Sequence, residues 1–148
     1  KALLLFDPVN GGGPGGYSTS RPDIVPQPVG RLAIPIGLLG ELRDSVGLAC
    51  APAAQNYQTI FTAANAAPVA YEWTLDGASH IDFVSNPSVC GLACMACKVR
   101  TLPLAQTQAF MGATSVAFLA THLLDQRGFC AWLTGQGLPA AVTLRRAP

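Results

Sequence analysis

Short apolar segments alternate with helix-like segments along this chain of 148 residues, and the alternation restricts the folds open to it. A continuous apolar run, Ala2–Phe6, ends at Asp7-Pro8, and Val69–Leu75 carries large apolar residues at every second position. Both patterns are typical of strands in a buried sheet. We predict strands at these two segments and at Leu32–Ile36, with Gly37–Gly40 forming the turn that leaves the middle strand.

Two other segments have the pattern of helices. Pro52 suits the first turn of a helix that must end before Pro68. Its apolar positions recur at helical spacing: Tyr57, Ile60, Phe61 and Ala64. A longer helix is predicted from Leu104 to Gln126, with Gly128 as its stop. Strands interleaved with helices predict an α/β fold with a mainly parallel sheet and flanking helices.

The composition limits what such a domain does. Half of the chain is hydrophobic and 11% is charged, well below the roughly 25% of ordinary globular domains. Either a partner covers part of its surface or the chain is a piece of something larger. A net charge of +1 argues against a nucleic-acid binder. The most apolar stretch, Ala109–Leu124, is shorter than the roughly 20 residues that a membrane span requires. It therefore predicts a buried helix and no transmembrane segment.

Candidate catalytic residues follow the predicted strands. Asp7 ends the first strand, Glu41 follows the second, and His80 follows the third in the stretch LDGASHIDF. Parallel sheets bind ligands beyond the carboxyl ends of their strands. In a Ser-His-acid triad the acid holds the imidazole in one tautomer and stabilises the imidazolium. His80 is therefore the candidate general base, with Asp7 as the triad acid and Glu41 as the alternative.

A nucleophile is not evident. None of the serines lies in the G-x-S-x-G elbow of α/β-hydrolases, in which the chain order is serine, acid, histidine. Ser45 comes closest, because Gly47 follows it, but Arg43 stands where the first glycine belongs. This stretch alone is not predicted to be a competent serine hydrolase.

Five blocks of the sequence carry a family resemblance: LLLFDPVNG, GLLGEL, CAPAAQNY, GASHIDF and FMGATSVAFLATHL. In order and spacing they resemble the C-terminal half of chlorophyllases, over about Ala2 to Asp125. That family consists of α/β-hydrolases that cleave the phytyl ester of chlorophyll. The resemblance implies that Asp7 is the triad acid, that His80 is the triad histidine, and that the nucleophile lies upstream of Lys1. Asn10 departs from the family, since an acid is common there.

The acids and cysteines near His80 have other expected roles. Asp76 and Asp82 are expected to orient the loop backbone. Cys90, Cys94 and Cys97 have the spacing C-x3-C-x2-C, and Cys50 and Cys130 complete the set. A structural zinc site normally takes four ligands. One disulfide with a free thiol is favoured over a metal site, with buried thiols as the remaining alternative.

The resulting expectation is the C-terminal portion of an α/β-hydrolase domain at residues 1–126, with a tail at 127–148. The resemblance implies a chlorophyllase-like carboxylesterase that needs no metal or organic cofactor. Its expected partners are a small-molecule ester with a long apolar chain and the missing N-terminal half. Phe83 and Val84 are candidates to contact the apolar chain. The alternatives are a general carboxylester or polyester hydrolase and a non-catalytic interaction protein of the same fold.

Overall fold

The computed structural model describes residues 1–11, 19–20, 22–25, 29–44, 51–86, 95 and 97–148. A four-stranded sheet runs through the described part of the chain in the order β1-β2-β3-β4. The first three strands are parallel and the fourth is antiparallel. Their bounds are Leu3–Phe6, Ile36–Glu41, Ala70–Leu75 and Val142–Ala147. The predicted α/β class with a mainly parallel sheet is confirmed.

Helices cover both faces of this sheet. The α-helices are α1 at Tyr57–Ala63, α2 at Leu104–Leu124 and α3 at Cys130–Leu133. Alternate strand residues point to opposite faces, so Leu38 packs in the cluster with α1, whereas Leu39 packs in the cluster with α2. Short 3₁₀ turns lie at Val29–Arg31, Ala53–Gln55, His80–Phe83 and Arg127–Phe129.

The middle strand differs from its sequence prediction. It runs from Ile36 to Glu41, so the predicted turn at Gly37–Gly40 is wrong. Both glycines lie inside the strand, where neighbouring side chains approach their backbone closely. A Cβ at Gly37 would collide with Phe118 and Leu4, and one at Gly40 would enter the ring of Tyr57. Glycine in a strand marks such close approach as readily as it marks a turn.

The segment 127–148, expected to be a tail, supplies α3 and β4. The last strand pairs with β3 and places Leu144 opposite Trp73 and Arg145 opposite Glu72. Leu144 packs against the α2 side of the core, and Arg145 Nη1 lies 3.2 Å from the buried Glu72 carboxylate. These contacts explain why a short segment with two arginines completes the sheet.

The long helix ends slightly earlier than expected. Its last residue is Leu124, and Asp125, with φ at 52°, adopts the left-handed conformation that ends the helix in place of Gly128. The prediction of a buried helix is correct for one face only, since Phe110 and Phe118 are buried whereas Val116 and Leu123 are more than half exposed. No helix in the described part of the chain has the length and apolar character of a membrane span.

Candidate active site

The three parallel strands bring the predicted acids and histidine to one edge of the sheet. Asp7 follows β1 directly, Glu41 is the last residue of β2, and His80 lies beyond the end of β3. The backbone at Asp7 has a positive φ of 38°, and its N–H donates to the carbonyl of Leu39 at 2.6 Å. Aspartate accepts this conformation more readily than most residues. The local fold therefore turns the chain sharply as it leaves β1.

The imidazole of His80 is hydrogen-bonded to Asp7. Its Nδ1 lies 2.6 Å from Oδ2 of Asp7, whose side chain is fully buried, whereas the ring is 30% exposed. The hydrogen bond to Asp7 raises the pKa of His80, and partial burial of the ring opposes that rise. Burial raises the pKa of the Asp7 carboxyl, and the hydrogen bond with His80 opposes it. With Asp7 ionised, the ring carries its proton on Nδ1 and leaves Nε2 as an acceptor.

The second ring nitrogen is open. Within the described residues His80 Nε2 has no hydrogen-bond partner, and no serine hydroxyl is bonded to the ring. Ser79, its neighbour, directs Oγ to Asp44 instead. Ser18, Ser45 and Ser88 lie outside the described residues. An imidazole held by a carboxylate on one nitrogen and open on the other is arranged to take a proton from a hydroxyl group.

Glu41, the alternative acid, has different contacts. It is fully buried and accepts the backbone N–H of Asp44 at 3.0 Å and 3.3 Å. Burial, reinforced by the negative charges of Asp7 and Asp44, raises the pKa of Glu41 to about 8, although the Asp44 hydrogen bond opposes the rise. The carboxyl is therefore largely protonated at neutral pH. Of the two candidate acids, Asp7 is the one in contact with the imidazole.

Sequence reasoning missed Asp44, a buried acid in the turn after β2. Its Oδ2 accepts the backbone N–H of His80 at 3.3 Å and lies 3.4 Å from the Ser79 hydroxyl. Its Oδ1 accepts the backbone N–H of Lys98 at 2.8 Å. No local sequence motif predicts this role, because the three hydrogen-bond donors come from segments far from Asp44 in the sequence. The only available signal was an acid close behind a strand that carries a candidate site residue.

Asp82 orients the loop backbone, as expected. Its Oδ2 accepts the N–H of Ser79 at 3.0 Å, and its Oδ1 accepts a hydrogen bond from Arg100 Nε at 2.7 Å. The first of these bonds is the reciprocal half of a capping box, which the spacing Ser79-x-x-Asp82 resembles. Asp76 is exposed, and it is its backbone N–H, bonded to the carbonyl of Ala141, that ties this loop to the start of β4.

Asn10, the departure from the family pattern, is fully buried beside the site. Its backbone N–H donates to Asn56 Oδ1 at 2.8 Å, and its side chain bonds Asp23 and the N–H of Ile24 at 3.0 Å each. An aspartate at this position would lose the amide that donates to Asp23. Asn10 thus fixes the chain after Asp7 to the start of α1.

A largely apolar groove of about 440 Å³ is lined by residues close in sequence to Asp7 and His80, the pair called the dyad below. Phe6, which precedes Asp7, forms one wall, and Phe83 and Val84 of the His80 turn form another. The side of α2 that carries Met111 and Ser115 closes it. The two residues expected to contact an apolar chain are therefore both in this groove.

The cysteine prediction is met in part. Cys97 is disulfide-bonded and Cys130 is a free thiol. Cys50, Cys90 and Cys94 lie outside the described residues. Among the described residues no group of three or more histidine, cysteine, aspartate or glutamate side chains is arranged to hold a metal ion.

Comparison of the sequence with protein-family models and with curated proteins found no match.

Proposed function

We propose that this chain carries the acid and the histidine of a Ser-His-Asp ester hydrolase of the α/β-hydrolase type, with the serine in a segment outside these 148 residues. The observation that carries the proposal is the 2.6 Å hydrogen bond between buried Asp7 and partly exposed His80, with Nε2 open, at the carboxyl edge of a parallel sheet. Binding sites in open parallel sheets lie at this edge.

In the proposed reaction His80 acts twice. Its Nε2 first takes the proton of the serine hydroxyl as the serine oxygen attacks the ester carbonyl carbon. The protonated ring then gives that proton to the leaving alcohol as the carbon–oxygen bond of the ester breaks. A water molecule repeats both steps to release the acid and regenerate the serine. Asp7 stabilises the imidazolium, and the pKa of His80 is raised by this same hydrogen bond.

The open edge of the sheet supports a serine supplied by a neighbouring strand. Within the described residues no strand pairs with the outer edge of β1, where Phe6 is 40% exposed. A further parallel strand on that edge would end next to Asp7, at the edge of the sheet that holds His80. An elbow at its carboxyl end would approach the open Nε2. The proposed partner of this edge is thus the nucleophile-bearing half of the same domain.

The groove supports an ester with a long apolar chain as substrate. Phe6, Phe83 and Val84, which are close in sequence to Asp7 and His80, offer apolar contact in this groove. Together with the resemblance to chlorophyllases, this favours the phytyl ester of chlorophyll, hydrolysed to chlorophyllide and phytol. The chemistry uses no metal or organic cofactor. A general carboxylester hydrolase would share the dyad and differ in its preference for short chains.

The proposal is tested on the protein expressed from its complete reading frame. Hydrolysis of chlorophyll and of a short-chain p-nitrophenyl ester is compared for the wild type, His80→Gln and His122→Gln. These are the two histidines of the chain, so the second variant is a matched control. His80→Gln should lower kcat by about 10⁴-fold or more, as loss of a triad member does, and His122→Gln should retain kcat.

The possible results separate the alternatives. Full activity of His80→Gln would overturn the catalytic role of the Asp7–His80 pair, and a wild type that hydrolyses neither ester would favour a non-catalytic protein of this fold. Activity confined to the short-chain ester would overturn the chlorophyll assignment and retain the esterase. Labelling of the wild type by a fluorophosphonate, followed by peptide mapping, locates the serine. A labelled serine within the 148 residues would contradict a nucleophile supplied from outside them.

A further inference from the structure

We propose that Asp44 is a positioning residue. Its buried carboxylate fixes the position of the 3₁₀ turn that begins at His80, and this position allows the imidazole to bond Asp7. The inference rests on the proposed function only for its kinetic consequence. Among the described residues, the Asp44 carboxylate bonds the backbone N–H of His80 and makes no hydrogen bond to the imidazole ring, so it acts through the backbone of His80.

Asp44 joins two segments across the site. One oxygen accepts the backbone N–H of His80 at 3.3 Å and lies 3.4 Å from the Ser79 hydroxyl, and the other accepts the N–H of Lys98 at 2.8 Å. Both Asp44 and Ser79 are fully buried. Burying a carboxylate that has no hydrogen-bond donors costs folding free energy. These donors therefore stabilise Asp44 in its buried position. The turn and the segment around Lys98 cannot shift independently while Asp44 bonds both.

A second set of hydrogen bonds joins the same segments of the chain. Asp82, also fully buried, accepts the Ser79 N–H and a hydrogen bond from Arg100. Arg43 Nε, next to Asp44, donates to the carbonyl of Val99 at 3.1 Å. Residues 98–100 are thus bonded twice to the turn after β2, through Asp44 and Arg43, and once to the turn at His80–Phe83, through Asp82. They begin beside the disulfide-bonded Cys97.

The geometry of the Asp7–His80 hydrogen bond depends on these contacts. His80–Phe83 is a single 3₁₀ turn of four residues, too short to fix its own position. At 2.6 Å the Nδ1–Oδ2 bond tolerates little displacement of the ring, and a misplacement of about 1 Å in a catalytic group can cost about 10²-fold in rate. The backbone N–H bond from His80 to Asp44 originates on the same residue as the imidazole and is therefore the most direct restraint.

Asp44 also acts on the ring through its charge, and the test must separate the two effects. The hydrogen bond to Asp7 is the largest influence raising the pKa of His80, and the charges of Asp7 and Asp44 add to it, as does the charge of Glu41 where that acid is ionised. Removing the Asp44 charge alone would lower the pKa whether or not the ring moves. A positioning role requires that the effect depend on Asp7.

A double-mutant cycle makes that separation. Asp44→Asn is measured alone and together with Asp7→Asn, and the pKa of His80 is followed by NMR of its ring protons. His122 provides the internal reference, since the chain has two histidines. We expect Asp44→Asn to lower the pKa of His80 clearly when Asp7 is present and much less when it is replaced. Asp44→Glu, which keeps the charge and displaces the carboxylate, should also lower it.

Control variants decide the remaining cases. Asp76→Asn removes an exposed acid from the same loop and should leave the His80 titration unchanged. An equal fall with and without Asp7, or no fall in folded Asp44→Asn, would overturn the proposal. If the Asp44 variants do not fold, Ser79→Ala removes one contact with all charges retained. An unchanged titration in that variant would also overturn it.

Kinetics give the second readout. In the complete enzyme Asp44→Asn should lower kcat by about 10²-fold with little change in KM, because the base is misplaced and the groove is intact. An equal loss in Asp76→Asn would mean that the effect is not specific. If the wild type hydrolyses no ester, the proposed function fails, whereas the NMR cycle still decides whether Asp44 positions His80.

Discussion

The two histidines of the chain are in opposite environments. His80 lies at the carboxyl edge of the sheet with Nδ1 on a buried carboxylate, and its pKa is raised by that hydrogen bond. His122 lies near the end of α2 against the rings of Phe118 and Tyr71, and burial, aided by the charge of Arg146, lowers its pKa. Its Nε2 is buried with no hydrogen-bond partner among the described residues.

The difference shows what distinguishes a candidate base from a packed histidine. Desolvation disfavours the charged ring at both positions, and only a fixed carboxylate reverses the sign. At His80 the acid also determines which nitrogen carries the proton, and it leaves the other nitrogen accessible. At His122 the ring contributes apolar contact area and has no group to exchange a proton with among the residues that the structure describes.

Replacing Asp7 should make His80 behave like His122. Asp7→Asn keeps the shape of the side chain and removes its charge, so burial of the ring is opposed only by the more distant acids and the pKa of His80 should fall. In the complete enzyme kcat should fall by about 10⁴-fold, because the asparagine favours the wrong tautomer. NMR titration of the ring and initial rates measure the two effects.

Asp125→Asn is the matched control for Asp7→Asn. Asp7 and Asp125 are the two non-glycine residues with positive φ among those described, at 38° and 52°. Both substitutions therefore place an asparagine at a position with positive φ. Asp125, unlike Asp7, is exposed, at the end of α2. A raised His80 pKa that persisted in Asp7→Asn would show that the carboxylate is not its cause.

Glu41, at the sheet edge that holds His80, should make the stability of the fold depend on pH. Glu41 has a pKa of about 8 in the fold against 4.5 ordinarily, so its stability contribution is complete below pH 4.5 and is lost as pH rises towards 8. Unfolding free energy should fall by at most about 1.4 kcal/mol per pH unit in that window through this group. Glu41→Gln should remove the slope while still accepting the Asp44 N–H. Urea titrations at intervals between about pH 5 and pH 9 measure it, and parallel curves for both proteins would contradict the assignment.

Part of this site follows from the sequence and part does not. Asp7 and His80 were predictable because each comes shortly after an apolar run, and parallel strands end at one edge. The extent of β2 was not, because Gly37 and Gly40 have the composition of a turn and only packing against Phe118 and Tyr57 places them in a strand. β4 depends on the pairing of Arg145 with Glu72, which are 73 residues apart. Asp44 likewise acts on distant segments.

The smallest predicted effect is an opposite pH dependence of stability at the two histidines. The folded-state pKa of His80 is raised, so its contribution is complete below the unfolded value of about 6.5 and is lost as pH rises through the folded value. The pKa of His122 is lowered, so its contribution is present above about 6.5 and is lost as pH falls through the folded value. Both rings are only partly buried, so solvent screening keeps each contribution small.

His80→Gln and His122→Gln should therefore change the stability curve in opposite directions. Relative to the wild type, His80→Gln should lose more stability at acidic pH than above neutrality, because it forfeits the charged hydrogen bond to Asp7. The loss of unfolding free energy in His122→Gln should be smaller at acidic pH than above neutrality. At acidic pH the wild type is itself destabilised, because its buried ring must either stay neutral or ionise while buried. Urea unfolding of both variants at about pH 5 and pH 8 gives the two differences. Differences of the same sign would mean that the two rings share one environment electrostatically, and the distinction between base and packed histidine would fail.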